Sequence, residues 1–117
     1  MTDSRRDDYL RHMHEAAAQV TSYIAGMDQP GFLNDKRTQQ AVIMNLVIIG
    51  EAATRLMAEF PDFTEAHAGI PWRNMRGMRN RIAHGYFDID LDLVWATAKI
   101  DLPELELQLP NLYPPPT

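Results

Sequence analysis

Between Ala41 and Ile49 the chain reads Ala-Val-Ile-Met-Asn-Leu-Val-Ile-Ile, with Asn45 the one polar side chain. A helix that is apolar nearly all round has no face to give to water, so it must be covered on more than one side. A chain of 117 residues builds a single core. This helix must therefore run through the middle of that core, and a second subunit is the expected cover for whatever the rest of the chain leaves bare. The run itself is too short to span a bilayer. The polar start, Met1 to Arg11, carries no apolar centre of an export signal. No membrane partner is expected, and the cytoplasm is the expected location. Cysteine is absent, which excludes disulfides, thiolate metal sites and a cysteine nucleophile and fits a reducing compartment.

The surrounding pattern is helical throughout, and nothing reads as a strand. A first helix is expected from about Ser4 to Gly26, with Leu10, Met13, Ala17, Val20 and Ile24 at helical spacing. Asp28-Gln-Pro-Gly31 reads as a turn. The long apolar helix should start at Asn34 or Asp35, either of which suits a cap, and stop before Pro61. A short helix over 62–68 would close at Gly69, and Pro71 suits the first turn of a helix over 71–85. Asp88 or Asp90 should cap a further helix with Leu93, Val94 and Ile100 facing inward. Asp101-Leu-Pro-Glu104 looks like a cap and early proline opening a last helix to about Leu109. These segments predict an all-α, antiparallel bundle of four to five helices over 1–109. A proline-rich tail, 110–117, is expected to be extended or disordered.

The segment from Ala66 to Phe87 holds four arginines and no acid, although the chain as a whole carries a net charge of −5. A basic patch on an acidic body can hold phosphate at one place while discouraging general coating of polyanions. On a helical wheel Met75, Met78 and Ile82 form an inward arc. The opposite arc carries Arg79, Arg76, Asn80, Arg73 and His84, with Arg81 close by. Two small residues, Gly77 and Ala83, lie within or beside it and would let another backbone or a phosphate come near. Gly85 either ends this helix or lets it run on to Tyr86.

Histidine can take and give a proton near neutral pH, and arginine can hold a phosphate through two parallel hydrogen bonds. Together they are what cleavage of a phosphodiester requires, with no need of a metal. In this reading His84 is the acid or base, Arg79 stabilises developing negative charge, and Asn80 orients the phosphate or the imidazole. Arg73, Arg76, Arg81 and Tyr86 would bind the substrate. Glu51 either pairs with Arg55 one turn along its own helix or reaches across to orient an arginine of the site. Trp72 either packs or stacks a base. His12 and His14 stand two residues apart, which splits their rings across a helix, unlike the four-residue spacing of zinc helices. His67 has no evident partner. No metal or cofactor is expected. The competing reading is a non-catalytic binding module using the same arginines to hold a nucleotide or nucleic acid.

Arg79, Asn80, His84 and Tyr86 also match a family signature: arginine, often followed by asparagine, then histidine after four to six intervening residues, extended to R-x4-H-x-Y. On these residues the chain resembles the HepT-type toxins of the HEPN superfamily. Ile49-Gly-Glu-Ala52, Ile70-Pro-Trp-Arg73, Trp95 and Asp101-Leu-Pro-Glu104 extend the likeness over most of residues 40–107. The resemblance implies an all-helical homodimer with the two motifs meeting at the subunit interface. It also implies a metal-independent endoribonuclease, the toxin of a toxin–antitoxin pair, with RNA as substrate. The partner so implied is an MntA-type minimal nucleotidyltransferase antitoxin that transfers AMP to the motif tyrosine, here Tyr86. Tyr86 is otherwise a core or interface aromatic.

Overall fold

In a computed structural model of the protein, which describes residues 4–113, every regular element is helical. The first helix, α1 (Ser4–Ile24), buries Leu10, Met13, Ala17, Val20 and Ile24, the stripe its periodicity requires. Gly26 stops it at φ 75°, a left-handed conformation that glycine adopts at little cost. Asp28 then accepts a hydrogen bond from the Gly31 backbone N–H at 2.8 Å. The expected turn is thereby wound into a short helix, α2 (Gln29–Leu33), with proline in its first turn. The winding turns Phe32 fully inward against Trp95, ring centres 5.3 Å apart.

Of the two candidate caps, Asp35 begins the long helix, α3 (Lys36–Glu59). It accepts from the Thr38 hydroxyl at 2.7 Å and the Thr38 backbone N–H at 3.1 Å. Those bonds hold its carboxyl below the usual carboxylate range. The whole helix is long and apolar enough to cross a membrane, so the shortness of its apolar run does not settle its place. Its neighbours do. α1 lies antiparallel to it: Arg5 pairs with Glu59 at 3.2 Å, and the Tyr9 hydroxyl donates to Glu59 at 3.0 Å. Val42, Leu46, Ile49, Ala53 and Leu56 are buried. Asn45 turns back to the Ala41 carbonyl at 2.8 Å. The far side is unfinished, because Met44 is 59% exposed and Ile43, Val47 and Ile48 are only partly covered.

Pro61 opens α4 (Pro61–Ala66) at the first helical position. His67 follows it and is not without a partner as expected. Its Nδ1 lies 2.8 Å from the Phe63 carbonyl, and its ring packs 4.3 Å from that of Phe63. Trp72 begins α5 (Trp72–His84) against the same corner. Because Trp72 touches α4, which directly follows α3, α5 starts at the end of α3 and runs back along it.

The last part of the chain departs most from expectation. Asp90 caps α6 (Leu91–Ala96), accepting from Leu93 N–H at 3.1 Å. Asp101 caps nothing. Instead α6 passes without a break through a wide π turn, Thr97–Asp101, into α7 (Leu102–Gln108). Pro103 has no N–H to give to the turn before it, and the Leu102 N–H bonds back to Thr97. A π turn advances less per residue than an α turn. The seven-residue match of Leu93 to Ile100 is therefore lost: Ala98 is buried and Ile100 is 68% exposed. Nor does the body end at Leu109. A 3₁₀ turn, Leu109–Leu112, buries Leu109, and Tyr113 meets α1 through a 2.8 Å contact of its hydroxyl with His14. The rest of the expected tail lies outside the described residues. Thr21 to Glu106 and His14 to Tyr113 fix this last rod antiparallel to α1.

Candidate active site

The site is built on α5 where it crosses α3. Gly50 sets the spacing. A Cβ there would collide with Arg79 Cβ and lie 2.6 Å from the Met75 carbonyl oxygen. Only a residue without a side chain lets the two backbones approach so closely. The next residue, Glu51, then reaches the guanidinium of Arg79, with its Oε2 2.9 Å from Nη2. Its other oxygen lies 3.4 Å from Arg55 Nε. Both readings of Glu51 are therefore realised at once, one per carboxylate oxygen. The Nη1 of Arg79 donates to Asn80 Oδ1 at 2.8 Å. Arg79 is thus a fixed cation, about one-third exposed, with two donors tied back and the rest of its fork free.

His84 is the last residue of α5, exposed, and it has no hydrogen bond or ion pair among the described residues. Gly85 ends the helix there, so Tyr86 does not continue the helical face above Arg79. Instead Tyr86 is 71% exposed on the following turn. Five residues on a straight helix are about 140° apart. Arg79 leans toward α3, and His84 stands off that side. Asn80 is joined to Arg79 rather than to His84. Within one chain the guanidinium and imidazole do not form a closed pair.

The remaining arginines divide as well. Arg73 and Arg81 line a groove of about 500 Å³ between α5 and the α6–α7 rod, floored by Leu46, Ile49, Met75 and Leu105 and bordered opposite by Asp101 and Glu104. Arg76 is exposed. None of the three is in an ion pair among the described residues. Trp72 is closed to a base: it is buried, and its indole N–H donates to the Thr64 and His67 carbonyls, both at 3.1 Å. The described residues hold no cluster of metal-ligating side chains. The site is a cationic strip with one anchored arginine and one histidine that has no partner among the described residues.

Two features escape a reading of the sequence. The close approach at Gly50 leaves no local mark beyond a glycine in a helix. Phe87, which follows Tyr86, is 99% exposed; a second aromatic beside the motif was its only signal.

A family model described as ribonuclease HepT-like matches residues 13–112. A protein of Thermococcus cleftensis named "Probable ribonuclease HepT" is 40% identical over 85% of this chain and 87% of its own length. A Methanocaldococcus jannaschii protein named "Putative RNase" is 36% identical over 91% of this chain and 96% of its own. One of Caldanaerobacter subterraneus, named in the same way, is 32% identical over 89% and 90%. No solved structure matches the chain with significance.

Proposed function

The chain belongs to the HepT-like ribonuclease family, and from that premise we propose that it is a metal-independent endoribonuclease, the toxin of a toxin–antitoxin pair, working in the cytoplasm. The observation that carries this reading is the asymmetry on α5: Arg79 is anchored by Glu51 and Asn80, while His84, about one turn and a half away, is exposed and has no partner among the described residues. A group that binds charge must be held still. A group that moves protons needs a free ring nitrogen and access to the substrate.

In the proposed reaction the ribose 2′-oxygen attacks the adjacent phosphorus and the bond from phosphorus to the 5′-oxygen breaks. His84 takes the 2′ proton. The 5′-oxygen leaves with a proton from a second acid, and the products are a 2′,3′-cyclic phosphate and a 5′-hydroxyl. Arg79 faces the phosphoryl oxygens as their charge grows. One chain offers one such histidine, on a different side of α5 from Arg79. A homodimer supplies the missing pairing, with the partner subunit's His84 as the second proton carrier. The half-bare apolar side of α3, around Met44 and Ile48, supports such an assembly. His84→Ala should leave helical content and oligomeric state intact and abolish RNA cleavage with the metal chelated. Cleavage at the wild-type rate would end the assignment.

Regulation is assigned to Tyr86. A nucleotidyltransferase of the MntA type would join its hydroxyl oxygen to the α-phosphorus of ATP, with loss of pyrophosphate. The exposure of Tyr86 supports this. The adduct would set a phosphate against the cationic strip that RNA needs. Tyr86→Phe should show no mass increase when incubated with such an enzyme and ATP. The second reading, a non-catalytic partner of that enzyme, draws on the same exposed tyrosine; it requires wild-type protein that binds RNA and never cuts it.

A further inference from the structure

Phe87 is 99% exposed, directly after Tyr86 at 71%. The Gly85 carbonyl accepts from the Asp88 N–H at 3.1 Å, so Tyr86 and Phe87 occupy the two corners of a tight turn. Glycine, asparagine, aspartate, serine and proline dominate such corners, through backbone freedom, a preset φ or side-chain bonds to the local backbone, none of which an aromatic ring supplies. Two aromatic rings there gain nothing from the fold of their own chain. The turn is also short and closed at both ends. α5 stops at His84, and Asp90 caps α6 only four residues after Tyr86. The rings are presented on a fixed loop rather than on a loose one.

What surrounds them selects the occupant. On the α5 side stand His84 and the exposed Arg81, which has no ion-pair partner among the described residues. On the other side Asp88 is exposed, and Asp90 carries its charge at the start of α6. A polyanion would lay its phosphates toward α5 and be repelled from Asp88, which leaves its uncharged part over the aromatic corner. A nucleic acid offers such a part in an unpaired base, whose flat face packs on a phenyl ring whatever its sequence. Phe87 lies three residues from His84, no farther than about 11 Å along the chain, within reach of a nucleotide next to the one being cut.

We propose that Phe87 is a stacking platform for an unpaired base beside the scissile linkage, and so restricts the enzyme to single-stranded or looped RNA. This rests on the ribonuclease reading above, and binding is measured apart from cleavage so that the two can fail separately. In a His84→Ala background, a fluorescent single-stranded oligoribonucleotide is titrated against Phe87, Phe87→Ala, Phe87→Leu and Phe87→Trp, with anisotropy as readout and sedimentation recorded for each. Phe87→Ala and Phe87→Leu should weaken binding by roughly fivefold to a hundredfold, while Phe87→Trp binds at least as tightly as the parent. An oligonucleotide with abasic positions should bind the parent more weakly, and that penalty should vanish in Phe87→Ala. Leucine serving as well as phenylalanine, or alanine without effect on a parent that binds RNA, overturns the platform alone. A smaller sedimenting species for Phe87→Ala overturns it by making Phe87 a subunit contact. A parent that binds no RNA, together with wild-type protein that cuts none, removes the ribonuclease reading as well.

Discussion

The two ends of α5 are built to opposite rules. At its start Trp72 is buried, its indole N–H satisfied by two carbonyls and its ring set against Phe63 at 6.5 Å between centres. At its finish His84 has no partner among the described residues, and two aromatic side chains beyond it face water. The first end ties its indole to the neighbouring helix and so fixes where α5 begins. The second leaves polar and apolar groups unused, which a fold on its own does not reward. Arg79 sits between them and shares both characters, half tied to α3 and half open.

Substitutions at the two ends should therefore separate stability from activity. The largest expected effect on folding is Trp72→Ala, which empties a core site and takes one of two donors from each of the Thr64 and His67 carbonyls; it should cost about 3–5 kcal/mol in chemical denaturation. The matching change at the other end, His84→Ala, should leave the denaturation midpoint in place while lowering cleavage by roughly 10²- to 10⁴-fold. A midpoint that fell for His84 as it does for Trp72 would erase the contrast.

Gly50→Ala tests the middle of the helix. Its methyl group must push α5 off α3, and overpacking of this kind costs about 1–3 kcal/mol. Because Arg79 is one of the atoms displaced, activity should fall further than stability alone explains. Glu51→Gln should act more gently. It keeps the side-chain shape and removes the charge facing Arg79, so the catalytic rate should fall by more than substrate affinity does. An unchanged rate would mean that Asn80 alone holds the guanidinium.

The smallest effect is expected from pH. The Tyr9 hydroxyl, by hydrogen bonding to Glu59, together with Arg5, holds that carboxyl below its ordinary range. A carboxyl whose folded value is lowered stabilises the fold above its unfolded value, and this contribution is lost as pH falls through the folded one. Thermal melts of wild type and Tyr9→Phe should differ slightly near neutrality and converge in acid. Glu59 lies at the solvent-facing end of α3, where screening keeps the difference small.

Much of this architecture was legible in the chain. The stripe from Leu10 to Ile24, the caps Asp35 and Asp90, and the stop before Pro61 are all where local pattern puts them. Each depends on neighbours within one or two turns. The misreadings have a common cause. Ile100 reads as inward when constant pitch is carried on from Leu93, and Asp101 reads as a cap when Pro103 is taken to open a new helix; the π turn that joins α6 to α7 removes both signals. Asp28 to Gly31 looked like a turn because nothing local said that Phe32 would find Trp95.

By itself the sequence determined an all-helical chain, the order and spacing of Arg79, Asn80, His84 and Tyr86, and the location of positive charge, since periodicity, capping and charge are properties of residues close together. Only the tertiary structure decided that Gly50 would admit α5, that Glu51 would hold Arg79, that Arg73 and Arg81 would line the groove beside the α6–α7 rod, and that Phe87 would be exposed. Those facts depend on which helix faces meet. Which faces meet is set by how the whole core packs rather than by any stretch of it.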